Sequence, residues 1–362
     1  MLTGTIHRYS GRALGLVVAG AAALSLGVFF ASTPATAQKD YVVLSDVEGF
    51  DAEAIRYATP SDLADENLLI DVARSNGRIF AVGEFGHIIY SEDKGETWTQ
   101  AEEVQTQVTL TTVAFPSKDV GFAAGHDATI LRTTDGGHTW ERVYHDFEAE
   151  TPIFGLHFIT PEHGFAAGAF SFLLETKDGG NTWTQRDISD EGAETGGYDY
   201  HLNEIFATKS GTIYLPAEFG NVYRSRDEGA TFEIVKTPYE GSFWNGLGLD
   251  NGSVLVFGMR GNVYRSDNDG ESWVKVPTGV QRSFSGGVQL ANGNVVLVGL
   301  NGAVSYSEDG GRSFTTVSRK DRENYADVAD GPEGSIILFG VPGVKHMPDN
   351  AKDAISEDDV TS

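Results

Sequence analysis

The sequence predicts an all-β fold, a seven-bladed β-propeller of four-stranded antiparallel blades, and two patterns lead there. A motif of the form Ser/Thr-x-Asp-x-Gly-x-Thr/Ser-Trp/Phe occurs six times, over residues 91–98, 133–140, 176–183, 225–232, 266–273 and 307–314. Its closing aromatics lie 42, 43, 49, 41 and 41 residues apart, and a period near forty built from short strands is that of a propeller blade. A short apolar run, Gly-Phe-Ala-Ala-Gly at residues 121–125 or Val-Val-Leu-Val-Gly at 295–299, recurs seven times. Seven runs against six motifs imply seven blades, the last of them incomplete.

Taken in order, the chain opens with Arg8 and Arg12, an apolar run over residues 13–30, and Ala35-Thr36-Ala37. Charged start, apolar core and small-x-small exit form the order of a secretory signal over residues 1–37, cleaved after Ala37. The expected location is therefore outside the cytoplasm: the periplasm, or its thylakoid-lumen equivalent. The propeller is assigned to residues 38–347. Within it, residues 39–44 (Lys-Asp-Tyr-Val-Val-Leu) have strand composition but no blade of their own. They are expected to close the last blade, because an open sheet edge invites aggregation.

Blade 1 shows the internal order. A strand over residues 68–73 leads to Asn76-Gly77, a two-residue hairpin signal. The second strand, residues 79–83, is apolar throughout, as expected where neighbouring blades cover both of its faces. A turn at Gly86, a third strand, the motif and an outer strand follow. Asn-Gly returns at Asn251-Gly252 and Asn292-Gly293, predicting the same hairpin. The 49-residue interval holds one clear insertion, residues 191–200. The seventh unit, residues 324–347, lacks motif and outer strand. Residues 348–362 are acidic, carry no aromatic residue, and are expected to be disordered.

Composition narrows the chemistry. The chain has no cysteine, which excludes disulfides, thiol catalysis, thiolate metal sites and a lipobox. Its formal charge is −26; removal of residues 1–37 takes two arginines and no acid, leaving −28. Such a surface repels nucleic acid and anionic lipid.

The repeated motif reads as a fastener. Its acid (Asp93, Asp135, Asp178, Asp227, Asp309, with Asn268 in the fifth copy) can fold back onto turn amides, and its Ser/Thr hydroxyl adds a local bond. The fifth-position glycine supplies a positive φ. The aromatic (Trp98, Trp140, Trp183, Phe232, Trp273, Phe314) is expected to bury a large area against the blade stack. A reaction needs one unique constellation, and a ring of identical copies is not one.

These motifs resemble Asp-boxes, the bacterial neuraminidase repeats of sialidases, sortilin-type receptors and several polysaccharide hydrolases. The longer form spans residues 83–98, with variants at 258–273 and 299–314. Together with the leader and seven short blades, the chain resembles the photosystem II stability/assembly factor family over about residues 40–347. The resemblance implies a non-enzymatic scaffold, lumenal or periplasmic, that binds an immature membrane-protein client. Similar propellers in non-photosynthetic bacteria make exporters of the resistance-nodulation-division type a second class of client. Photosynthetic members present an arginine-rich patch, whereas this chain is strongly acidic.

A sialidase-like glycoside hydrolase is the alternative, because the boxes are shared. In a propeller the loops entering each inner strand and those between second and third strands share one face, and the boxes lie on the other. On the loop face only Arg260 and Arg282 are basic, while Arg132, Arg224 and Arg265 directly precede boxes, so an arginine triad is not evident. Glu84, Asp127, Asp199 and Glu218 leave a two-carboxylate hydrolase open. His87, His126 and His201 lack metal-ligand spacing and read as solvent-exposed loop histidines; no metal or cofactor is expected.

The expected client-binding residues are Glu84, Phe85, Tyr198, Tyr200, His201, Glu218, Phe219, Trp244 and Arg260. Phe170 lies on the same face, and Phe154 and Phe284 are read as plugs of the central channel. The partner is a membrane-protein client or a complex under assembly, anchored on aromatics, with acids favouring a basic segment. The chain itself is expected to be monomeric, peripheral to the membrane, and no binder of nucleic acid.

Overall fold

The computed structural model describes residues 54–188 and 199–347. Seven antiparallel sheets follow one another along the chain. First strands touch first strands all the way round, and the first strand of the seventh sheet, Tyr325–Asp330, reaches that of the first, Leu69–Ser75. The ring of seven blades is therefore present, and the described residues contain no α-helix.

Blade 1 runs Leu69–Ser75, Arg78–Gly83, Ile88–Ser91 and Thr99–Gln100. Blade 2 gains a fifth strand, Glu103–Val104, lying parallel to its outer strand Thr139–Tyr144. Blade 7 has three strands, ending with Gly343–Met347. The closing strand expected from residues 39–44 lies outside the described residues, as do the leader 1–37, the tail 348–362 and Tyr198. Among the described residues the seventh and first blades meet by packing. Leu69, Ile79 and Ala81 press on Ala329, Ile337 and Phe339, and the Val344 N–H donates to the Asp65 carbonyl at 2.8 Å.

Seven apolar clusters fill the seven gaps between blades. Second strands are buried along their length, as in Val254–Gly258, because each is covered on both faces. The expected hairpin at Asn76-Gly77 is present, with φ of 50° and 82°. At Asn251 and Asn292 the hairpin is different. Only Gly252 (φ 83°) and Gly293 (φ 87°) are left-handed, and their N–H groups bond back to Leu249 and Leu290 across a three-residue loop. One extra residue changes the turn type, which the Asn-Gly pair alone does not reveal.

The boxes fasten as expected. The Ser91 hydroxyl donates to Asp93 Oδ1 at 2.8 Å and accepts the Gly95 N–H at 2.7 Å. Asp93 then accepts the Thr97 amide at 2.9 Å and the Thr97 hydroxyl at 2.6 Å. Asp135, Asp178, Asp227 and Asp309 repeat the pattern. Asn268 keeps it by accepting from Ser266 and the Ser272 amide, both at 3.0 Å. The Thr97 hydroxyl and amide, then Ser91, hold the Asp93 carboxyl down at about 2. Asp135 and Asp309 reach about 2 against the opposing cost of burial, through their own turn hydroxyls and amides.

The box glycine does more than turn the chain. A Cβ on Gly137, Gly180, Gly229 or Gly311 would collide with Phe80, Phe122, Phe165 or Leu255, each on the second strand of the preceding blade. On Gly95 it would strike Ile337 of blade 7. Each box thus seats its glycine on the neighbour's core. The aromatics depart from expectation: Trp140 and Trp273 are enclosed, while Trp98, Trp183, Phe232 and Phe314 are half-buried. Outer strands of two residues, Thr99–Gln100 and Thr184–Gln185, leave the ring's outer side open, whereas Val104 of the added strand covers Trp140.

Candidate functional site

On the face opposite the boxes, each blade presents the turn between its second and third strands. In blades 1, 4, 5 and 6 this turn reads Glu84-Phe85-Gly86, Glu218-Phe219-Gly220, Met259-Arg260-Gly261 and Leu300-Asn301-Gly302. The first carbonyl accepts the N–H three residues on, as from His87 to Glu84 at 3.0 Å and from Asn221 to Glu218 at 3.1 Å. The middle residue is left-handed, with φ of 59°, 55°, 57° and 56° in the four blades. Phe170 takes the same place in blade 3 at φ 56°.

That backbone throws the middle side chain outward. Phe85, Phe170 and Phe219 are 56%, 55% and 64% exposed. Asparagine accepts a left-handed backbone readily, and Asn301 does so here; a bulky aromatic does not. Three equivalent turns therefore hold a strained backbone and an exposed ring together.

Supporting residues cluster unevenly. Tyr200 is enclosed, with its ring centroid 5.8 Å from that of Phe219. His201 lies 4.7 Å from Phe170 and 6.3 Å from Phe154. Glu218 accepts the His201 N–H at 3.1 Å, and Glu84 likewise accepts the Leu68 N–H at 3.1 Å. Glu218, Phe219, Tyr200 and His201 are thus brought together beside Phe170, whereas Glu84 and Phe85 form a separate turn on blade 1. His87 is buried, its Nδ1 3.2 Å from Asn67 Nδ2, and burial lowers its pKa. This corrects its reading as an exposed loop histidine; the Phe85 turn folds over it, with ring centroids 5.9 Å apart.

The channel mouth is built by a repeated irregularity. A β-bulge opens the inner strand of six blades, between Leu69 and Asp71, for example, and between Phe243 and Asn245. In all six of these blades the paired second strand ends in a glycine, such as Gly83, where a Cβ would strike the incoming backbone. The bulge re-aims one residue per blade, and these residues, Phe154 and Trp244 among them, line a cavity of about 280 Å³. Carbonyls freed by the bulge are taken by the preceding blade. Asn203 donates to Phe243 O at 2.7 Å, Asn245 to Ser285 O at 3.1 Å, and Ser285 to Tyr325 O at 2.6 Å. Phe154 and Trp244 sit in this mouth; Phe284 is buried between blades 5 and 6 and plugs nothing.

Three carboxyls converge in the same cavity. Each is half-buried at the surface of the cavity, yet the surrounding protein strips enough water to raise Asp71, and to raise Glu204 and Asp327 well above the ordinary carboxyl range, with Coulombic repulsion adding to the rise in both. Asp71 accepts the Val113 and Val72 amides at 2.7 and 2.8 Å, so it is the member best suited to carry charge. Asp71 and Asp327 act on each other across the cavity, which lowers the first and raises the second. Among the described residues no group of three His, Asp or Glu side chains is arranged to hold a metal ion.

The arginines that precede boxes are spent on architecture. Arg224 is buried and bonds the Asp269 carbonyl of the next blade together with Glu233 at 2.6 Å. Arg265 does the same with Gly310 and with Asp267 at 2.5 Å. Neither can turn toward the loop face without opening the seam between blades.

The profile of the family described as photosynthesis system II assembly factor YCF48 matches residues 41–132 and 138–282, more than half of the chain. The chain belongs to the YCF48 family. No curated protein matches the sequence. Among solved structures, YCF48 bound to D1 peptide superposes with a TM-score of 0.60 at 18% identity, covering 77% of this chain and 92% of that one. YCF48 from Cyanidioschyzon merolae gives 0.63 at 16%, covering 82% and 100%. A GH74 enzyme from Niastella koreensis gives 0.60 at 15%, covering 77% and 52%. Identities this low speak for the shared propeller alone.

Sequence reasoning left Phe170 out of the binding set and missed the channel carboxyls altogether. The signal for Phe170 was faint, because its turn, Ala169-Phe170-Ser171, lacks the glycine that marks the others. The carboxyls lie 133 and 123 residues apart in sequence, and only ring closure makes them neighbours.

Proposed function

We propose that this member of the YCF48 family is a non-catalytic, exported scaffold that holds a segment of a membrane-protein client on its loop face. The carrying observation is the set of three exposed phenylalanines on strained, equivalent turns. Rigid aromatics presented by a rigid ring bind at low entropic cost. A YCF48 homologue bound to D1 peptide supports a membrane-protein segment as the ligand class. Hydrolysis finds less support. The arginines a sialidase would gather are locked between blades.

Photo-crosslinking in membranes of the native host tests the reading. A photoreactive residue at position 219 should capture an integral membrane protein, and one at Glu308, on the box face, should not. Equal capture from both positions, or none from 219, would reject the scaffold.

A further inference from the structure

The loop face is divided electrostatically. Over blades 1 to 4 the turns and connections carry Glu84, Asp127, Glu148, Glu150, Asp199 and Glu218; of the bases beside them, Arg186 is paired with Glu175 at 2.6 Å, and Arg56 stands on the segment that lies against the connection from blade 1 to blade 2. The three exposed phenylalanines all stand on this half. Over blades 5 and 6 the corresponding positions carry exposed Arg260, then Arg282, Lys320 and Arg322, two more bases than the sequence alone places on this face, with Asp321 and Glu323 beside the last two. Acid and exposed aromatic thus coincide on one half, and base borders it on the other.

Resting on the scaffold reading, we propose that blades 1 to 4 form the docking surface, and that its occupant is a short segment in which Lys or Arg stands among apolar residues. Each element has a reason. Exposed rings offer apolar faces and cation–π acceptors to a Lys or Arg. The surrounding carboxylates complement its charge and speed its approach. The arginines of blades 5 and 6 repel the same segment, which fixes it on one half of the ring. Phe170 joins Phe85 and Phe219 as an anchor, and His201 stacks against it at 4.7 Å. The strain at φ 55° to 59° persists in all three rings although asparagine serves at the same place in blade 6.

The test uses the full chain and three fluorescent twelve-residue peptides, alternating Lys with Leu, Glu with Leu, and Lys with Ser. Fluorescence anisotropy should show the Lys–Leu peptide binding most tightly, with affinity falling as salt rises. Phe170→Asn combined with Phe219→Asn should weaken it about thirtyfold, the loss typical of central aromatic anchors. Asp127→Asn with Glu148→Gln should weaken it and flatten the salt dependence, while Arg260→Ser should not weaken it. Melting temperatures at or above the parent's show that the variants fold. Tighter binding of the Glu–Leu peptide, or indifference to the Phe substitutions, overturns the proposal. If position 219 still crosslinks a membrane protein in that event, the recognition chemistry is wrong and the scaffold stands. If it does not, the scaffold falls as well.

Discussion

At the scale of single residues, the boxes contain a conflict that the loop-face turns share. The fourth box position is left-handed along with the fifth, and glycine fills it in three copies: Gly136, Gly179 and Gly310. In the others Lys94 (φ 65°), Glu228 (φ 59°) and Asp269 (φ 55°) hold that backbone against their own Cβ. Asp269 is compensated, since it accepts from Tyr214 at 2.8 Å and Arg226 at 2.7 Å. Glu228 is exposed, and among the described residues no such bond to it is seen. Glu228→Gly should therefore stabilise the protein by about 0.5–1 kcal/mol, the left-handed penalty less glycine's added chain entropy. Its neighbour behaves oppositely. Gly229→Ala drives a methyl into Phe165 at φ 80° and should destabilise by several times as much. Thermal melts of the two variants check both signs, and equal shifts would mean that the box turn is looser than described.

At the scale of the blade, the strand added to blade 2 raises what its box aromatic is worth. Trp140 is enclosed beneath the added strand Glu103–Val104, and its indole N–H reaches Gly137 O at 3.0 Å. Trp140→Ala should cost about 3–5 kcal/mol. Trp98 makes the matching bond to Gly95 O at 3.1 Å but is only half-buried, so Trp98→Ala should cost roughly half as much. Denaturant unfolding with unchanged m-value would measure the difference. Blade number, strand order and box chemistry were legible because each repeats, and repetition turns weak local signals into one strong one. The strand at residues 103–104 was not, since it occurs once and pairs in parallel with a segment 36 residues away. The loop-face phenylalanines were legible as residues but not as strained ones. Backbone handedness at a Phe-Gly step is set by the hairpin it closes, and sequence alone shows only the glycine. Burial of His87 and Tyr200 was equally hidden, for it depends on the chain segment that folds over each.

At the scale of the whole ring, the channel carboxyls set a cost that closure must bear. Asp71 on blade 1, Glu204 on blade 4 and Asp327 on blade 7 meet only when the circle is complete. Burial raises Asp327 first and most, with Asp71's charge adding to it. A group whose folded pKa lies above its unfolded value stabilises fully below the unfolded pKa, near 4. That stability drains away as pH rises through the folded value. Asp327→Asn removes the titration and keeps a donor for Asp71. The variant should match the parent below pH 4 and gain over it progressively as pH rises toward 8. His157, lowered to about 4 by burial, has the opposite sign and weakens the fold as pH falls below 6.5. The box acids held near 2 act the same way, losing stability as pH falls from 4. Because both proteins share those groups, the difference in melting temperature between variant and parent isolates the channel. A difference that stays constant from pH 4 to 8 would show that Asp327 is ionised in the closed ring, and that water in the channel offsets the cost of bringing the three carboxyls together.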